Sequence, residues 1–373
     1  LHNVKIIYLS IIFIEEIVMS PIKIVLICTI TLQLYAEAIN SKQMVVNVAV
    51  ANLRYQPQAH DPQATLPTSD RTNPLQITQL LLGEHVVAHE QFEDENHKIW
   101  YYVNIPQQQF FYEPIGWHGY PGWIQAQNVI NVEHFLPHNM VVSKKLADIF
   151  NQHGQNIMTV SIGTRLCAVH KEDQQYCFIL PDQKVAYISC DDVYTIDPVV
   201  QESEQQLRAN IIQTALKFLG DWYSWGGRSA QNNDFEISSV DCSALVHLSF
   251  LAHGLQIPRM SHEQFLRSEK ILNCADLQPC DFIYFVSITK HSARMDHVMI
   301  YLGDDQILES TFADDHKVRI TSFQQRMGKS CETIQSGDII VWNDEEFYVY
   351  FGSLLSNKEF IQNLRNDALR NGY

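Results

Sequence analysis

The chain has 373 residues, room for two or three domains at the usual ~100–200 residues each. With 46% apolar and 18% charged residues it can build real cores and does not have the composition of a disordered chain. Lys+Arg is 26 against Asp+Glu 42, a formal net charge of −16 with no basic run, which argues against nucleic acid as a partner; Gly, Pro and Cys are too few for a fibrous or disulfide-scaffold protein.

Two apolar stretches open the chain, Ile6 to Ile14 and Ile22 to Leu32, and neither has the ~20 residues needed to span a bilayer. The second resembles a secretory signal: Lys23, an apolar core, then Ala36-Glu37-Ala38 as a small-x-small cleavage site. We expect residues 1–39 to be an over-extended start followed by a signal peptide, with Met19 the true start and cleavage near Ala38. An uncleaved anchor is the alternative, and Ile27 before Cys28 is too large for lipoprotein processing. Export to the periplasm, cell wall or medium is an oxidising fate. Of the cysteines beyond Cys28, Cys242 is expected to stay free. Cys167, Cys177, Cys190, Cys274, Cys280 and Cys331 allow fifteen pairings, among which the sequence does not choose.

From Met44 to about Val132 short β-branched and aromatic runs alternate with turn residues, as in a small barrel. Val45–Val50, His85–Ala88, Trp100–Val103 and Gly122–Ile124 are its strands, and Gln107 to Tyr120 reads as an aromatic loop. A second run of strands fills Met140 to Ile196 and weakly repeats the first. Composition shifts at Asp197-Pro198. A helix follows, carrying Leu207, Ile211, Ala215 and Phe218 at spacings of three and four and closed by Gly220. Strands near Asp281–Val286, His297–Leu302 and Asp338–Trp342 complete an α+β pattern, and Tyr348 to Tyr373 carries no readable motif.

The chemistry concentrates in this last region. Asp241-Cys242-Ser243-Ala244 reads as a turn entering a helix, with Asp241 as N-cap. A Cys in the first turn sits at the positive end of the helix dipole, which favours the thiolate. His297, 55 positions later, opens an apolar strand and is a candidate base. Glu309 lies on the next strand after the turn Gly303-Asp304-Asp305, where a hairpin can set it beside His297 to orient the ring. No Cys/His spacing makes a zinc site, and no phosphate loop or dinucleotide fingerprint is present, so no cofactor is expected.

Five segments in order, Tyr223-Ser224-Trp225-Gly226-Gly227, Asp241-Cys242-Ser243, Ile257-Pro258-Arg259, Leu277-Gln278-Pro279-Cys280-Asp281 and His297-Val298-Met299-Ile300-Tyr301-Leu302-Gly303, resemble the NlpC/P60 family of cell-wall cysteine peptidases. The resemblance covers roughly residues 205–345. It implies a papain-like α+β domain with Cys242 as nucleophile, His297 as base and Glu309 at the third polar position. That position is often His, Asn or Gln in the family, so the carboxylate is a departure. Cys280 stands where the family usually has a turn Gly, and Ala244 replaces another Gly.

The N-terminal half resembles the bacterial SH3-type domains that precede this domain in γ-D-glutamyl–diamino acid endopeptidases. Expected boundaries are 40–135 and 136–200 for two SH3-like units, 201–346 for the catalytic domain and 347–373 for a tail. The likeness implies cleavage of peptidoglycan stem peptides carrying a free N-terminal L-Ala. Glu84 (in Gln79–Glu84) and Tyr120 (in Gly119–Trp123) would reach the amine, Asp241 and Ser243 would help grip it, and Trp225 would wall the site. A buried carboxylate pairs well with an ammonium and is left unpaired by an acylated one. The alternative is a non-catalytic wall-binding protein with a decayed peptidase domain.

Overall fold

The computed structural model describes residues 41–58, 75–133, 135, 137–197, 201–230, 238–288, 294–313 and 315–371. The apolar N-terminal stretches, Met19, Cys28 and the Ala36–Ala38 cleavage site lie outside these residues. No helix among the described residues is long and apolar enough to cross a membrane. Residues 43–373 form one compact unit.

The first sheet is built from β1 (Lys42–Val46), β2 (Val50–Arg54), β3 (Gln76–Leu81), β4 (His85–Glu93), β5 (Ile99–Tyr112), β6 (Gly116–Gln125) and β7 (Val129–Asn131), in spatial order β3-β2-β6-β5-β4-β1-β7. It closes over a core that includes Val46, Leu53, Leu80, Val86, Val103, Ile105 and Ile124. The stretch expected as a loop from Gln107 to Tyr120 is instead a long hairpin. Its register jumps between Ile105↔Tyr120 and Gln109↔Gly119. The extra residues Pro106-Gln107-Gln108 form the bulge, a place where a strand tolerates proline. Gln107 and Gln108 turn inward and are buried.

The second run of strands, β8 (Met140–Val142), β9 (Leu146–Phe150), β10 (Asn156–Ser161), β11 (Arg165–Leu166), β12 (Ala168–Glu172), β13 (Gln175–Ile179), β14 (Val185–Ser189) and β15 (Val193–Thr195), forms two small antiparallel sheets, β10-β9-β14-β13-β12 and β11-β8-β15. They share a core of Met140, Val142, Ile149, Val160, Phe178 and Ile188.

Helix α1 (Glu204–Leu216) starts at Ser203, whose hydroxyl accepts the Gln206 amide. Next come the short pair β16 (Arg228–Ser229) and β17 (Ser239–Val240), then α2 (Cys242–Leu251) and α3 (Ser261–Arg267). Strands β18 (Glu269–Ile271), β19 (Phe282–Ser287), β20 (His297–Gly303), β21 (Gln306–Ser310), β22 (Val318–Ser322), β23 (Ile339–Trp342) and β24 (Glu345–Ser353) follow. They make an antiparallel sheet in the order β18-β24-β19-β20-β21-β22, with β23 on β24. Helix α4 (Phe323–Met327) lies between β22 and β23, and α5 (Lys358–Asn371) ends the chain. The expected boundary at 346 therefore cuts through β24. That strand pairs with β19 from Phe282↔Gly352 to Ser287↔Phe347, at the middle of the sheet, so no separate tail begins at 347. Every side chain of α2 is buried, which seats the helix between the sheet and the rest of the core.

Of the six cysteines left open, Cys274 and Cys331 are bonded to each other across 57 residues, while Cys167, Cys177, Cys190 and Cys280 are free. Cys280 adopts φ +75, the left-handed conformation that explains why a turn Gly suits this position.

Candidate active site

Asp241 caps α2, its Oδ1 accepting the Ala244 amide at 2.8 Å. Cys242 is thereby fixed in the first turn, as its sequence position suggested. Its thiol is not lowered, however. Burial, then the charge of Asp241, push it up to about 12, against the opposing effects of the Val298 amide, Arg259 and the Ser243 amide. Desolvation outweighs the helix dipole here. The bond from Val298 puts the residue after His297 against the sulfur.

His297 Nε2 lies 2.9 Å from Glu309 Oε2. The pairing of Ile300 with Leu308 puts Glu309 opposite Met299, two positions from His297 on the same face, so the two meet as a diagonal pair. The carboxylate of Glu309 is fully buried and can only accept, which puts the proton on Nε2 and leaves Nδ1 as the lone-pair nitrogen. Glu309 also takes two cations. Arg319 Nε and Nη2 reach Oε1 at 3.1 and 3.0 Å, and Arg326 Nε reaches Oε2 at 3.1 Å. Burial alone would raise this carboxyl; the bond from His297 and the charges of Arg326, His297 and Arg319 prevail and hold it at about 2.

The expected substrate-gripping residues are tied into the frame. Asp241 is held by Arg259 through both oxygens, Nη1 at 2.9 Å and Nη2 at 2.7 Å, and Ser243 Oγ lies 2.9 Å from the same Nη1. Glu84 is only 4% exposed, and its carboxylate receives Arg228 Nη2 at 2.6 Å, Nη1 at 3.1 Å and Gln108 Nε2 at 3.2 Å. Glu84 thus meets β16 through a buried ion pair. Tyr120 packs its ring against Phe110 at 4.8 Å. Burial raises its hydroxyl, and it also feels Tyr55, Arg259, Glu263 and Arg294. Trp225 is half-buried and its carbonyl accepts from Gln76 at 3.4 Å. Next to it, Gly226 has φ +70 and comes so near the first sheet that a Cβ would lie 2.9 Å from the Ile77 backbone.

Sequence reasoning quoted Arg259 within a motif but gave it no role, and it passed over Arg228, Arg319 and Arg326. Their partners lie 18, 144, 10 and 17 positions away. Only the motif around Arg259 offered a signal.

A cysteine heading a buried helix, set against a strand that opens with a carboxylate-bonded histidine, defines a cysteine-hydrolase type of site. Residues 220–331 match the NlpC/P60 family model, and this part of the chain is an NlpC/P60 domain, of a family of peptidoglycan hydrolases. The chain is 29% identical over 236 residues to the gamma-D-glutamyl-L-lysine dipeptidyl-peptidase of Bacillus subtilis, a match spanning 62% of this chain and 71% of that protein. It is 32% identical over 107 residues to the peptidoglycan endopeptidase RipB of Mycobacterium tuberculosis, spanning 27% of this chain and 42% of RipB. The crystal structure of an NlpC/P60 family protein from Bacillus cereus shares the fold over 79% of this chain and 98% of that one, at 23% identity and a TM-score of 0.60.

Proposed function

We propose that the protein is an exported cysteine endopeptidase that hydrolyses the γ-D-Glu–diamino acid bond of peptidoglycan stem peptides bearing a free N-terminal L-Ala. The observation that carries the reading is the 2.9 Å bond between His297 Nε2 and Glu309 Oε2 beside the helix headed by Cys242. The likeness to the Bacillus subtilis dipeptidyl-peptidase supports the choice of bond.

In this reading His297 Nδ1 removes the Cys242 proton, which the buried thiol does not give up unaided. The thiolate attacks the γ-carbonyl carbon of D-Glu. His297 then protonates the leaving amine, and water hydrolyses the thioester. The Cys242 backbone amide, at the helix start, helps hold the oxyanion. Tyr120 and Trp225 shape the wall around the N-terminal residue. Asp241, Ser243 and Glu84 act through the arginines that hold them, keeping that wall in register. The two β units before the catalytic domain are read as SH3-like modules.

The test is product analysis by mass spectrometry on L-Ala-γ-D-Glu-meso-diaminopimelate, its L-Lys counterpart and their N-acetylated forms. Release of L-Ala-γ-D-Glu from free-amine peptides only, reduced roughly a thousandfold or more in Cys242→Ala, is the expected result. Cleavage of acetylated peptides would discard the amine requirement. No cleavage, with binding to sacculi retained, would favour a non-catalytic wall-binding protein.

A further inference from the structure

Glu309 is a full negative charge at a position where related enzymes often carry a neutral acceptor. Two cations contact it directly. Arg319 stands opposite it across the β21–β22 pair, with Glu309↔Arg319 in register, and approaches Oε1. Arg326, on α4, approaches Oε2, the oxygen shared with His297. Arg326 is itself buried, its guanidinium 3.6 Å over the Trp342 ring and 4.9 Å over the Phe285 ring. Phe285 is the cross-strand partner of His297. The guanidinium is therefore fixed by flat apolar surfaces on one side and the carboxylate on the other, where it stays charged.

We propose that Arg319 and Arg326 are positioning residues that offset the negative charge of Glu309, so that Glu309 orients His297 through its hydrogen bond while its field at the ring is weakened, and the pH range in which Cys242 reacts is set by this balance. The inference rests on Cys242 and His297 acting as a pair and on nothing about the substrate. Other charged groups stand nearby. Asp315, in the turn before β22, lies 3.9 Å from Arg319 Nη1 but is about half exposed, so it offsets that cation only in part. Asp241, at the head of α2, is paired with Arg259. Asp296 spends Oδ2 on the Ser287 amide. Tyr284, on β19, is bonded to Ser268.

The sign follows from charge alone. If Cys242 and His297 act as a pair, a labelling profile belongs to the pair and not to either residue alone. Removing a nearby cation favours its more protonated states and moves the whole profile to higher pH. Removing the anion moves it to lower pH.

The experiment measures the rate of iodoacetamide labelling of Cys242 against pH, read on its own peptide by mass spectrometry, in the full exported chain. Arg319→Gln and Arg326→Gln are expected to move the acid-side midpoint up by roughly half a unit to one unit, and Glu309→Gln to move it down by a similar amount. Circular dichroism and thermal unfolding establish that each variant is folded. Arg319, 19% exposed, is the variant that tests the idea should Arg326→Gln not fold. Opposite shifts in the arginine and glutamate variants support the proposal, because a merely structural cluster has no reason to respond with opposite signs. Midpoints that stay put, or that move in one direction for all folded variants, overturn it. Labelling needs no peptide substrate, so a wild-type protein that cleaves no stem peptide would sink the proposed activity and leave this result readable.

Discussion

At the scale of single residues, the side chains that carry chemistry and those that carry stability are close neighbours but not the same. Glu84 read in the sequence as a buried carboxylate awaiting a substrate ammonium. In the fold it is a buried anion whose nearest charge, Arg228, has a side chain with 0% exposure. Removing one member of such a pair strands the other, at a cost of about 3–5 kcal/mol. Glu84→Ala should therefore show first as a large drop in denaturant midpoint, with Cys242 labelling in the surviving folded protein much less affected. A Glu84→Ala protein of wild-type stability that had lost only its preference for free-amine peptides would reverse that assignment and restore Glu84 as the amine anchor. The contrast marks what was legible. Cys242 and His297 stood out because their local motifs are short and continuous. Glu309 could be placed because a tight turn fixes the neighbouring strand. The arginine partners of Asp241 and Glu84 could not be placed, because a sequence does not state which distant guanidinium a buried carboxylate will meet.

At the scale of elements, two of the features that join the first sheet to the later α+β region differ in legibility, and only one left a sequence signature. The glycine pair Gly226-Gly227 is visible in the sequence, and its cause is physical. Gly226 holds φ +70 against the Ile77 backbone, while a Cβ on Gly227 would lie 2.7 Å from the Ser239 carbonyl oxygen. Gly226→Ala combines a disfavoured conformation with a backbone clash and should cost about 1–3 kcal/mol. It should also loosen Trp225, whose carbonyl is tied to Gln76. Thermal unfolding and Trp fluorescence would check this; an unchanged midpoint would mean the first sheet yields easily to the added methyl group. The second joint is the β5 bulge. Gln107 Oε1 accepts the His85 amide at 2.8 Å, its carbonyl accepts from Gln256, and Gln108 reaches both Gln79 and Glu84. Polar residues beside a proline read as loop, so the hairpin was missed; their side chains turn inward onto buried partners of the first sheet itself, His85, Thr78, Gln79 and Glu84, while the Gln107 carbonyl makes the contact across the joint, to Gln256. The same reasoning explains β24. Its alternation in Glu345–Ser353 is plain once seen, but strand order is a long-range property that local patterning does not reveal.

At the scale of the whole molecule, the response to acid follows from which groups the fold keeps neutral. Among the described residues four histidines lie far below their usual range: His247, driven down by burial and then by Arg228, Arg259 and Arg165, and three others at about 4. His85 is lowered by burial and then by Arg165, His253 chiefly by burial, and His262 by burial and then by Arg294 and Lys270. For a base with a depressed folded value, the unfolded chain takes up its proton first as pH falls. Stability is therefore full above about 6.5 and drains away as pH moves down toward 4. Glu309 behaves differently in range though not in direction. Its folded value of about 2 against an ordinary 4.5 means that its contribution is intact above about 4.5 and is lost only below that. Unfolding midpoints measured from pH 7.5 to pH 3 should then fall in two stages, the histidine stage first. His253→Gln, which keeps a polar partner for Thr214, should flatten the first stage and leave the second. A midpoint that holds steady down to pH 4.5 would mean that these rings are protonated in the fold without penalty. The burial that surrounds His85 and His253, 8% and 2% exposed, argues against that outcome, because an imidazolium at such depth has little solvent to stabilise it.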